Sequence, residues 1–532
     1  MLLAIAAPSV LAVRSLQSEQ PQPQLPQQPK QQKISPPVTP QSAKPQPAKP
    51  QPQPQPKPQP QPQPQPKPQP QRQPQPQQQA QPKAVLQLQP DSAGGPAQGQ
   101  DENGKSGGDS NVLDLVPLSA YPGAVCNDGS PAGYYWSASS SGQTGKWLIY
   151  LMGGMWCYSQ QTCQLRMQDA QFQTSSKHWQ KQLQIGQGTG GVGGIFSNQG
   201  ANPFADYNKV YLEYCSSDAW MADIDASEQT WGLAFKGQTI VQSALADLAA
   251  NHGLASGADV VFGGCSAGGR GAMVLLDYVA GWLPSGVNVR GILDSGLWVD
   301  IPSFDTNEIT LQEQTQDAFA LFNPTNVIPA ECAAQYSGGD SWKCIYGQYR
   351  MPFVQTPYFI NAAQMDDFQL LYDMGGTMPE TPDQVAYADQ FQAATLAALQ
   401  PSIKAKQGVF SVTCLVHCLT LDTQLMDQYT ANGQTMVQAL TEWEAGSVPQ
   451  VVSSCQGYPC VEQCPGGQSI YGITAALQNS SPQAMQQAKA GQSKQQSALM
   501  GMGTALPQGQ QQRQHFQTSA ATSWMLQGRR MV

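Results

Sequence analysis

Ser266 lies in Gly264-Cys265-Ser266-Ala267-Gly268, between an apolar run at 259–263 and a helix-like run at 269–283. Gly-x-Ser-x-Gly on a strand–turn–helix path makes a nucleophile elbow. The strained turn projects the hydroxyl from the strand end, and small residues two positions either side let strand and helix close around it. A serine hydroxyl is a weak nucleophile and needs a base. The chain has four histidines. His178 lies in a polar stretch before the elbow, Asn251-His252-Gly253 reads as a helix C-terminus, and His515 falls in a Gln-rich tail. Only His417 follows Ser266 within the ordered part of the chain, directly after an apolar run at 408–414. An isolated histidine between two cysteines is ordinarily structural. Downstream of an elbow, with no competing imidazole, it is the candidate general base. Hydroxyl and imidazole are then expected within ~3–4 Å of each other.

An acid that orients the imidazole should fall between them in chain order. Asp366 and Asp367 follow a strand-like run at 357–363, and Asp294 follows another at 291–293. Position alone does not separate them. A further apolar run at 146–152 ends in Gly153-Gly154-Met155-Trp156. Backbone N–H groups there, with the one after the serine, suit a developing oxyanion; the plainer alternative is an ordinary Gly-Gly turn. Strands that each end at one of these residues, alternating with helices, predict an α/β-hydrolase fold. Its central sheet would be mostly parallel and flanked by helices.

Further blocks make a family resemblance specific. They are 126–135 (Cys126-Asn127-Asp128-Gly129-Ser130-Pro131 onward), Gly153-Gly154-Met155-Trp156-Cys157 with Cys163, and Tyr214-Cys215-Ser216-Ser217-Asp218-Ala219-Trp220. The elbow with Gly269, Asp294-Ser295-Gly296, Cys414-Leu415-Val416-His417-Cys418, and Pro459-Cys460 through Cys464-Pro465 complete the set. In this order, from about 113 to 465, the chain resembles the pectin acetylesterase/Notum family of α/β-hydrolases. The resemblance implies Ser266 as nucleophile, His417 as base and Asp366, before Asp367, Phe368 and Gln369, as acid. It also implies oxyanion donors at Gly154, Met155 and Ala267. Met152 stands where the family commonly has Glu. Plant-type members remove acetyl groups from pectin, and Notum removes a palmitoleoyl group from a secreted signalling protein. The blocks divide between the two.

The 532 residues exceed one typical domain. Residues 1–17 resemble a partial signal peptide, though no basic residue precedes the apolar stretch. Residues 18–112 are a Pro/Gln-rich tract and linker that cannot bury a core and favours extended polyproline II. The catalytic domain is expected at 113–480, and a disordered Gln-rich tail at 481–532. Asn479-Ser480-Ser481 is a glycosylation sequon.

All twelve cysteines fall between 126 and 464, which predicts disulfides and an oxidising compartment. Cys157 and Cys163 are a plausible local pair, and Cys265 a candidate buried free thiol. Cys414, His417 and Cys418 lie close together, but no second Cys/His pair has zinc-site spacing, so no metal is expected. Gly188-Thr189-Gly190-Gly191-Val192-Gly193 matches Gly-x-Gly-x-x-Gly. The preceding 181–185 is at best a poor strand and 194–198 opens no convincing helix, so a surface loop is expected and no cofactor. A net charge of −9 excludes nucleic acid as a partner. No segment is long enough to span a membrane.

These readings predict a secreted or cell-wall serine carboxylesterase, expected to be a monomer. Its substrate would be an acylated polysaccharide, O-acetylated and pectin-like, with an acylated protein as the alternative. Met155 and Trp156 put bulk beside the oxyanion donors, which favours acetyl over octanoyl esters. A matrix or binding protein without activity is the remaining class.

Overall fold

The computed structural model describes residues 111–464, apart from 143–144, 187–190, 305–308, 376 and 461–463. The expected signal segment, Pro/Gln tract, sequon and Gln-rich tail lie outside the described residues.

The strands are β1 (Val112–Pro117), β2 (Gly133–Ser137), β3 (Lys146–Leu151), β4 (Gln182–Ile185), β5 (Gly191–Val192), β6 (Asn208–Leu212) and β7 (Asp259–Cys265). They continue with β8 (Asn288–Asp294), β9 (Tyr358–Asn361), β10 (Gly408–Ser411), β11 (Thr430–Ala431), β12 (Gln434–Thr435) and β13 (Gln450–Val452). The helices are α1 (Gln160–Asp169), α2 (Gly237–Asn251), α3 (Ala267–Trp282), α4 (Leu311–Phe322), α5 (Ala330–Gln335), α6 (Gly347–Arg350), α7 (Asp367–Asp373), α8 (Pro382–Lys404), α9 (Thr423–Gln428) and α10 (Met436–Glu444).

Eleven strands form one sheet in the order β13-β10-β9-β8-β7-β3-β6-β2-β1-β4-β5. From β13 to β6 every pairing is parallel; β2 and β1 add an antiparallel flank. The parallel strands read as unbroken apolar runs because helices cover both faces of such a sheet. Trp147 through Leu151 in β3 and Val260 through Phe262 in β7 are all buried. The strand order reverses beside β3, so the C-terminal ends of β3, β7, β8, β9 and β10 open on one edge. In open parallel sheets ligands bind at that edge.

The Gly-x-Gly-x-x-Gly region departs from expectation in one respect. Residues 182–185 do form a strand, antiparallel to β1 at the polar flank of the sheet. A single 3₁₀ turn, Gly194–Phe196, follows β5. Residues 187–190, which carry two of the motif's three spaced glycines, lie outside the described residues. At the start of the described residues Val112 pairs with Gln184, and the Asn111 carbonyl accepts from Ile185 N–H.

Candidate active site

Ser266 is the N-cap of α3, with φ 58° and ψ −122°, a conformation L residues rarely adopt. It is held by its neighbours. Its N–H donates to the Asp294 carbonyl at 2.9 Å, and its carbonyl accepts from Arg270 N–H at 2.9 Å. A glycine in the loop after β3 lets that loop approach the turn: a Cβ on Gly153 would lie 2.7 Å from the Cys265 carbonyl oxygen and 3.0 Å from Ser266 Cβ. Cys265 and Ala267 are buried while Ser266 stays partly exposed.

Asp366 supplies one oxygen to each of two partners. Oδ1 caps α7 by accepting from Gln369 N–H at 3.1 Å. Oδ2 lies 2.8 Å from His417 Nδ1. A carboxylate only accepts, so Nδ1 carries the hydrogen and Nε2 presents its lone pair. Nε2 has no hydrogen-bond partner among the described residues. No Ser266–His417 hydrogen bond is formed among the described residues; such bonds commonly tighten only with substrate in place.

The two residues are nonetheless brought together covalently. Cys265, before the serine, is disulfide-bonded to Cys418, after the histidine, with Cα atoms 5.7 Å apart. Both sulfurs and a His417 ring nitrogen lie within 4.8 Å of one another. Cys265 is thus not the free thiol that was expected. Cys414 pairs with Cys464, so neither cysteine flanking His417 is available as a thiolate ligand. The expected Cys157–Cys163 pair is present.

Asp294 does not meet the imidazole. It is fully buried, and its carboxylate accepts from Thr420 N–H at 2.8 Å, Thr420 Oγ1 at 2.5 Å, Asn361 Nδ2 at 2.5 Å and Ser295 Oγ at 3.1 Å. Ser295 Oγ in turn accepts from Cys418 N–H at 2.9 Å. One turn after β8 therefore grips the elbow through its backbone and the histidine loop through its side chains. The sequence named Asp294 as an acid and missed this positioning role, because the aspartate's partners are distant in the chain.

Electrostatics set the imidazole. Burial alone would depress the His417 imidazolium. The Asp366 charge and hydrogen bond, with Asp367 and Asp294 behind them, override it and raise His417 to about 9. Asp367 is pushed up to about 6 by burial, against the pull of His417.

The loop of oxyanion candidates comes up against the elbow at Gly153. Met155 has φ 63°, and the N–H groups of Gly154, Met155 and Ala267 have no acceptor among the described residues. Trp220 Nε1 donates to the Met152 carbonyl at 3.0 Å, steadying the loop where the family commonly has Glu. Buried Asp218 shapes the neighbouring turn by accepting from Trp220, Ala222 and Gly237 N–H and from Ser216 Oγ. A separate crevice near Ile185, Ser197 and Thr423 contains no titratable residue.

An elbow above a parallel sheet, with an Asp-His pair delivered by later strand ends, defines an α/β-hydrolase. The family model of the pectinacetylesterases matches residues 106–465, and the chain belongs to that family. It is 28% identical over 380 residues to a palmitoleoyl-protein carboxylesterase, notum2, of Xenopus laevis, covering 66% of this chain and 73% of the relative. It is 30% identical over 346 residues to the corresponding NOTUM protein of Schmidtea mediterranea, covering 62% of each. Among solved structures it is similar to the Wnt deacylase Notum from Drosophila, with TM-score 0.60 and 26% identity over 66% of this chain and 99% of that one. The chain is a carboxylic ester hydrolase. Its six disulfides fit an oxidising, extracellular setting, and no helix among the described residues is long and apolar enough to cross a membrane.

Proposed function

We propose that Ser266, His417 and Asp366 form a catalytic triad that removes O-acetyl groups from a pectin-like polysaccharide outside the cell. The observation that carries the triad is the 2.8 Å Asp366–His417 bond, with Nε2 unpartnered beside the disulfide that adjoins Ser266. Nε2 takes the serine proton as Oγ bonds the ester carbonyl carbon. The oxyanion is received by N–H groups of Gly154, Met155 and Ala267. The imidazolium, stabilised by Asp366, protonates the leaving alkoxide, and the acyl group stays on Ser266. A water then gives its proton to Nε2, attacks the acyl carbon, and releases carboxylate as the proton returns to Ser266.

The acetyl reading is supported by the family's description and by buried Trp156 beside Met155. A second reading, removal of a lipid acyl group from a protein, is favoured by the printed activity of the Notum relatives. The enzyme is proposed to act as a monomer. Acetate release from acetylated pectin by the wild type and by Ser266→Ala tests the proposal. The variant is expected to lose several orders of magnitude in turnover and to keep its fold. Retained turnover rejects the triad. A wild type inert on acetylated pectin but active on an acylated peptide selects the second reading.

A further inference from the structure

We infer that Arg270 ends the acyl site and restricts Ser266 to short acyl groups; this deepens the esterase reading and rests on it. Arg270 lies one helical turn past the nucleophile, its N–H bonded to the Ser266 carbonyl. It is 1% exposed and has no carboxylate partner among the described residues. Nη2 donates to the Ile345 carbonyl at 3.1 Å, while Nε has no partner among the described residues. Burial lowers its pKa to about 9, so the group is still cationic at neutral pH. A buried cation without a carboxylate needs another source of stabilisation. Here it comes from two indole faces, with the guanidinium carbon 3.9 Å from the Trp156 ring and 3.8 Å from the Trp298 ring.

Both tryptophans connect Arg270 to residues of the site. Trp156 follows Met155 in the oxyanion loop. Trp298 comes from the turn after β8 and stacks on Phe368 with centroids 5.9 Å apart; Phe368 lies against the His417 ring at 5.4 Å. Trp156, Arg270, Trp298, Phe368 and His417 thus make one continuous layer from the oxyanion donors to the base. An ester carbonyl must sit between those two ends, with its leaving oxygen toward Nε2 and its oxygen toward the donor N–H groups. The acyl substituent is left to run against the layer. A long chain gains binding only where its methylenes are enclosed in apolar surroundings. At the centre of this layer stands a charged group whose faces are already covered, and an acetyl methyl is short enough to stop before it.

The test uses the full chain and aryl acetate, butyrate and octanoate. Arg270→Ala removes the guanidinium and leaves a void between the two indoles. The octanoate-to-acetate ratio of kcat/KM is expected to rise tenfold or more, chiefly through a lower KM for octanoate. Arg270→Leu, which keeps helix propensity and apolar contact, carries the same expectation if the alanine variant does not fold. A purely structural role would lower turnover of all three esters together. A rise below tenfold in a folded variant, or a wild type that already prefers octanoate, overturns the inference. A wild type that hydrolyses none of the three esters, or whose turnover survives Ser266→Ala, fails the esterase reading instead.

Discussion

Asp366 uses its two oxygens for different tasks, one capping α7 and one holding His417. Asp366→Asn tests whether the two separate. Asparagine still caps a helix, so stability should fall by less than about 1 kcal/mol. The amide cannot hold a charged imidazole as the carboxylate does, and kcat is expected to fall on the order of 10³–10⁴-fold. The pH profile carries the sign. His417 works as a base only when neutral, and its neighbours raise it to about 9 against the opposing effect of burial. In the wild type, kcat/KM should therefore climb as pH rises through this limb and be lost on the acid side. Without the Asp366 charge the limb should move to lower pH, although Asp367 and Asp294 still raise it somewhat. An unmoved limb in Asp366→Asn, measured with aryl acetate, means another group sets the base. The macroscopic value belongs to the coupled cluster rather than to one residue.

At the level of elements, the Cys265–Cys418 disulfide ties the end of β7 to the loop after β10 across 153 residues. Removing it as Cys265→Ala/Cys418→Ala should cost about 2–5 kcal/mol, as for native disulfides generally. It should also reduce kcat at temperatures where the variant is fully folded, because the nucleophile and base lose their shared anchor. A variant with normal kcat and a lowered Tm would assign the bond to stability alone. This pairing was not legible in the sequence, since connectivity is set by the fold and not by spacing. Cys157–Cys163 was, because its loop is short. The strands β3 and β7 were legible as continuous apolar runs, the mark of strands covered on both faces. Strand β4 was undervalued because Gln182 and Gln184 flank Leu183, and its stability comes from pairing with β1 at the sheet edge. Elbow and histidine could be read from local pattern and scarcity. Residue pattern alone could not choose Asp366 over Asp294, since both follow strand-like runs and their partners lie far along the chain. Arg270 gave no sequence signal: a charged residue on a helix is ordinarily solvated, and only tertiary packing puts two tryptophans around it.

For the whole molecule, charge is distributed unevenly. The chain carries net −9, yet from residue 20 to residue 90 its only charged residues are lysines and one arginine, spaced among Pro and Gln. Such a segment lacks the apolar content to join a core. In chain order the sheet takes its first strand at Val112 and its last at β13, Gln450–Val452. A protein trimmed to residues 106–480 should therefore keep its Tm and its kcat/KM on aryl acetate. A large fall in either would place part of the removed sequence in the folded unit. Reduction should act oppositely, since all six disulfides lie within the retained part, and a reductant should lower Tm markedly. The basic tract bears on the substrate. Demethylated pectin is a polyanion, and dispersed lysines bind a polyanion weakly and in a salt-dependent way. Full-length protein is expected to be retained on immobilised polygalacturonate at low ionic strength and released near physiological salt. The trimmed protein, with the tract's positive charge gone, should pass through. Equal retention of both forms would put polymer binding in the catalytic domain. Retention of neither would leave the tract with no part in holding this substrate.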